Sequence, residues 1–157
     1  MQYPKYTELS ISDDFDVFEF FSIGENGSIL KKVQFTKTQY SNIYNLGFGD
    51  KQEDGVIDDV HDSKNGDRDK VLATVAGIIY EYTSIYPERR IIFIGSTAAR
   101  TRLYRMAINK NYEELSKDFY IFALIEEKDE IIHVPFMNSI NCLGFLIKRK
   151  TLLNINL

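Results

Sequence analysis

Residues 89–110 read RRIIFIGSTAARTRLYRMAINK, and this succession of apolar run, glycine and amphipathic run decides the fold. Ile91, Ile92, Phe93 and Ile94 form an unbroken β-branched and aromatic run. Such a run suits a strand covered on both faces in the middle of a sheet. Gly95 ends it, because glycine permits a sharp turn and close backbone approach. Ser96 or Thr97 then stands where an N-cap is needed, its hydroxyl accepting from a free N–H of the first helical turn. Ala99, Leu103, Met106 and Ala107 recur at helical spacing and predict one apolar face. The anomaly is charge. Arg100, Arg102 and Arg105 occupy the first turns of this helix, where the dipole and the unpaired N–H groups already make the field positive. Negative charge is expected nearby.

The chain before this unit reads as strands. Residues 15–23 and 28–36 flank Gly24-Glu25-Asn26-Gly27, a tight hairpin signal because Asn-Gly tolerates positive φ. In the second strand Ile29, Val33 and Phe35 share a face, with Lys31 joining them at the edge. Residues 43–48 give a third strand in which Tyr44, Leu46 and Phe48 alternate, so the opening is a meander. A long acidic loop over 50–69 follows, within which Val56, Ile57 and Val60 suggest a short strand or turn. Residues 69–86 predict a helix capped by Asp67, with Leu72, Val75, Ile79 and Tyr82, joined by Val71 and Ile78, on a wide buried face, and Pro87 closes it. Leu103 and Met106 are expected to be buried with them.

After the central helix, Asn111 caps a short helix, and strands follow at 119–125, 131–136 and 142–149, with TLLNINL as an edge segment or tail. Segregated strands and two good helices imply an α+β fold: a meander, helix, strand, helix and three strands. The sheet is mixed or antiparallel, and both main helices lie on one face.

At 157 residues the chain is expected to be one domain, 1–157. Its formal net charge of −4 opposes non-specific nucleic-acid binding without excluding a local basic site. The lone Cys142 fits a reducing compartment, and the polar, acidic start and the lack of a membrane-length apolar run predict a cytoplasmic protein with no membrane association.

The motifs NLGFGD (45–50), VLATVA (71–76) and GSTAARTRLYR (95–105), with the Asn26-Gly27 hairpin and FLIKRK (145–150), carry a resemblance. The chain resembles an uncharacterised family of short, single-domain bacterial proteins, a domain of unknown function, over nearly its whole length. The resemblance implies no activity. Position by position it nominates Gly95, Ser96, Thr97, Arg100, Thr101, Arg102 and Tyr104 as the signature.

Read as chemistry, that signature is an anion site: helix N–H groups, the hydroxyls of Ser96 and Thr97, and an arginine fork suit phosphate. On a helical wheel Arg100 and Tyr104 flank one side of the apolar face and Arg102 and Arg105 the other, so they cannot all reach one small ligand; Arg102 is kept among the candidate anion-binding residues, with a structural role as its alternative. No Gly-Lys-Ser/Thr is present, which excludes a nucleoside-triphosphate P-loop. The competing account is internal. Residues 88–110 carry six basic and one acidic side chain, net +5, whereas 50–69 carry eight acidic and three basic, net −5. The loop would then fold over the helix and neutralise it.

Within the loop, Asp50, Gln52, Asp54, Gly55, Ile57 and Asp58 partly imitate a calcium loop, but His61 stands where a bidentate Glu is needed. No metal and no cofactor are expected. His61 and His133 read as surface or edge-strand residues, and Cys142 as an inert core thiol. Three functions fit: a module binding a phosphate-bearing ligand (a nucleotide or nucleic-acid segment); a metal-independent ribonuclease or toxin-like member of a two-gene system; or a protein-interaction component. Toxins of the second kind are usually strongly basic, which this chain is not. Enzyme status and oligomeric state stay open.

Overall fold

The computed structural model describes residues 4–59 and 64–150. Its elements are β1 (Ser10–Ile11), β2 (Val17–Gly24), β3 (Gly27–Lys37), β4 (Ile43–Lys51), β5 (Ile57–Asp58), α1 (Arg68–Ile85), β6 (Arg90–Ile94), α2 (Ala98–Lys110), α3 (Tyr112–Asp118), β7 (Phe119–Glu127), β8 (Glu130–Pro135) and β9 (Gly144–Arg149). The sheet runs β1-β2-β3-β4-β6-β9-β7-β8, with β5 paired to one end of β4. Every pairing is antiparallel except β4 with β6, where Tyr44 lies opposite Ile91. A parallel pair needs a crossover, and α1 supplies it. The last strand, β9, enters between β6 and β7. The fold is thus α+β with a mixed sheet, as the segregation of strands and helices implies.

Alternation on the strands builds the core. Phe18, Phe20, Val33, Phe35, Ile91, Phe145 and Ile147 point to one face and pack with Ile78 and Tyr82 of α1 and Ile108 of α2, so both main helices cover the same side. The Phe35 and Tyr82 rings stack 3.7 Å apart at 6°. Arg89 donates to the Tyr82 hydroxyl at 2.8 Å and lies over the rings of Tyr86 and Tyr44, at 3.7 and 4.1 Å. This cation–aromatic cluster fixes the turn between α1 and β6.

Several expectations need correction. Strand β6 is central but not covered on both faces: Ile91 is fully buried under the helices, whereas Ile94 on the opposite side is 51% exposed. Helix α2 is also turned about its axis. Its buried residue is Ile108, Tyr104 packs edge-on against Phe93, and Met106 is 52% exposed. A tyrosine and an isoleucine bury more apolar area than a stripe half made of alanines, and they set the rotation. On α1, Val71, Ile78 and Tyr82 are buried as expected, whereas Leu72, Val75 and Ile79 are only half-buried. Asp67 does not cap α1 with its side chain; the carboxylate instead accepts from the hydroxyls of Tyr6 at 2.5 Å and Ser22 at 2.6 Å.

In the first hairpin the positive φ falls on Gly27 (85°) alone, and the buried Asn65 side chain clamps the turn, accepting from the Asn26 N–H at 2.6 Å and donating to the Gly27 carbonyl at 3.0 Å. Asn111 stands at the N-cap position of α3, as expected, but its side chain does not cap it; the amide donates to the Ala107 carbonyl at 2.8 Å and closes α2. Cys142 precedes β9 rather than lying in it, half-buried, and burial raises its thiol pKa against the lowering influence of Arg105. Val60, His61 and the segment 151–157 lie outside the described residues.

Candidate functional site

The strand-turn-helix unit is built as its sequence suggests. A Cβ on Gly95 would collide with the backbone and hydroxyl of Thr101, so only glycine lets β6 turn this tightly into α2. Thr97 is the cap: its backbone is extended, and its hydroxyl accepts from the Arg100 N–H at 3.2 Å. Thr101 donates its hydroxyl back to the Thr97 carbonyl at 3.3 Å, tightening the turn. Ser96 donates to the Asp59 carbonyl at 2.5 Å. The acidic loop therefore reaches the turn, but this contact is made by a backbone oxygen rather than a carboxylate.

The loop does fold toward α2, and it leaves a cleft of about 1160 Å³ between them. One wall is α2, with Thr97, Ala99, Arg100, Arg102, Leu103, Tyr104 and Met106; the other is residues 64–72, the end of the loop and the first turn of α1. Both long helices thus present their N-terminal turns to the same space. Its ionisable lining is Lys31, Lys64, Arg68, Lys70, Arg100 and Arg102 against Glu25, Asp67 and Asp69, six basic and three acidic, on a chain whose formal net charge is −4. Asp67 is already engaged by Tyr6 and Ser22, Lys31 forms a buried ion pair with Asp50 on the neighbouring strand, and Lys70 lies 4.2 Å from the Tyr6 ring.

Of the signature residues, the structure brings Thr97, Arg100, Arg102 and Tyr104 to the cleft, while Gly95, Ser96 and Thr101 shape the turn behind it. Arg102 lines the same cleft as Arg100 and Tyr104, although the helical wheel sets it on the other flank of the predicted apolar face. Arg105 points away and donates to the Ile140 carbonyl at 3.1 Å. Burial raises the Tyr104 pKa, while the charge of Arg100 and its hydrogen bond to the phenol lower it. Near neutrality Tyr104 is therefore an un-ionised phenol, a hydrogen-bonding group rather than a base.

Sequence reasoning missed the opposite wall. Lys64, Arg68 and Lys70 are diluted in the chain among acidic neighbours, of which Asp67 and Asp69 line the cleft with them. One signal was present: a basic residue, Lys31, in step with Val33 and Phe35 on an apolar face. His133 lies on β8, its ring edge-on to Phe122 at 5.0 Å, on the sheet face away from the helices.

Among the described residues no group of three or more His, Cys, Asp or Glu is placed to hold a metal ion, and no helix is long and apolar enough to cross a membrane. A family model described as "Family of unknown function (DUF6934)" matches residues 2–150. Neither a curated protein nor a solved structure matches the chain.

Proposed function

Since the chain belongs to this family of unknown function, its role has to be argued from the site, and we propose that it is a binding module for a phosphate-bearing ligand held between the first turns of α1 and α2. The observation that carries this reading is the convergence of two helix N-termini and six basic side chains on one cleft of an acidic protein. Helix N-termini present unpaired N–H groups and positive partial charge. Adding Arg68, Lys70, Arg100 and Arg102 there concentrates positive potential where a di- or trianion gains most. The net charge of −4 favours a small phosphate compound over a long nucleic-acid segment, whose remaining phosphates would be repelled by the acidic remainder.

A ligand that binds only the native state must stabilise it by mass action, by about 2.7 kcal/mol at a hundredfold excess over its dissociation constant. Phosphate, pyrophosphate and mononucleotides are expected to raise the melting temperature. Sodium chloride at equal ionic strength is not, because screening acts on all surface charges alike. Arg100→Ala should remove the anion-specific shift. An unchanged melting temperature of the parent protein in all three phosphates would retire the proposal.

A further inference from the structure

A second space lies beneath the cleft, between α1, α2 and the sheet. It is an apolar cavity of about 100 Å³ whose lining side chains, among them Leu46, Val75, Ile79, Phe93 and Ala107, are all aliphatic or aromatic. Phe48, Leu72 and Tyr104 line both the cavity and the charged cleft, so the two adjoin, with the Tyr104 phenol and its Arg100 partner at the boundary. The cleft wall itself carries Ala99, Leu103 and Met106. Resting on the phosphate-binding reading, we infer that the ligand is a small soluble amphiphile, with its phosphate in the cleft and a short aliphatic arm in the cavity.

Two arguments select the arm. A nucleobase buried here would leave most of its ring nitrogens and exocyclic groups without partners, since the lining is aliphatic and aromatic apart from the hydroxyls of Tyr80 and Tyr104. Size then limits the choice: a cavity of roughly 150 Å³ is what benzene fills, and this one is smaller. A few methylene groups match it, whereas a membrane lipid, with its long chains, does not. The basic cleft that shares Phe48, Leu72 and Tyr104 with the cavity demands that the other end of the molecule be anionic.

Calorimetric titration of the full chain with inorganic, methyl, ethyl, butyl and hexyl phosphate, and with butanol, tests this. Each methylene from ethyl to butyl should tighten binding about three- to fourfold, levelling off at hexyl once the cavity is full. Ala107→Leu, which fills the cavity from α2, should bring the butyl-to-methyl affinity ratio close to one; Ala76→Val, from α1, serves if the first variant does not fold. Equal affinities along the parent series would overturn the amphiphile while leaving the phosphate site standing. Butanol binding as tightly as butyl phosphate would remove the anionic head from the account, and absence of binding by every compound would overturn both readings.

Discussion

Lys31 on β3 and Asp50 on β4 sit opposite each other in register, with side chains 10% and 14% exposed, and form an ion pair at the wall of the cleft. Two charges taken this far from water are costly to separate. Lys31→Met strands the Asp50 carboxylate, and the expected loss is about 3–5 kcal/mol in denaturant unfolding, much of it recovered when Asp50→Leu is added. A single variant as stable as the parent would show that the pair contributes nothing. At this scale the sequence was partly legible. Gly95 stood out because a β-strand running directly into a helix needs a residue without a side chain. Lys31 was visible as a charge in step with apolar neighbours, but its partner lies across a strand pairing that no local pattern specifies. The roles of Asn65 and Asp67 were hidden for the same reason: a loop asparagine and a helix-start aspartate have ordinary local uses, and their partners, Ser22, Gly27 and Tyr6, are some forty to sixty positions away.

Helix α2 shows how an element can be recognised while its orientation is not. Periodicity located it, and the Thr97 cap and its last residue, Lys110, match expectation. Its rotation was decided by what the sheet offered: Phe93 receives the Tyr104 ring, which turns Ala99, Leu103 and Met106 toward the cleft. This orientation makes a sharp contrast. Ile108→Ala should cost about 2–5 kcal/mol, because Ile108 is only 8% exposed, whereas Met106→Ala should stay within roughly 0.5 kcal/mol. Comparable losses from both in urea unfolding would mean that the apolar stripe faces the core after all. The charged cleft was legible only on this one wall, since the basic residues of the facing segment are hidden by the acidic composition of the loop.

For the whole molecule the order of elements could be read, but the sheet order could not. Nothing local to 144–149 announces that β9 inserts between β6 and β7. A molecule-wide consequence of the aromatic core is its response to alkali. Burial raises the pKa values of Tyr6, Tyr80, Tyr82 and Tyr104 above the ordinary 10.0. The unfolded chain then releases these protons first. Stability from the neutral phenols is full below pH 10 and falls as pH rises beyond it through the folded-state values. Denaturant unfolding from neutral pH to about pH 11 should show this decline, with Tyr104→Phe and Tyr80→Phe each reducing it. A flat profile would contradict the assignment of buried, neutral tyrosines.

The central claim is that a phosphate group sits between the N-terminal turns of α1 and α2. Amide chemical-shift mapping during a pyrophosphate titration at constant ionic strength tests it most directly. Saturable shifts are expected at Thr97, Ala98, Ala99 and Arg100 and across residues 64–70, lost in Arg100→Ala. Saturable shifts centred on any other surface, or only the small, non-saturating drift that sodium chloride also produces, would contradict it.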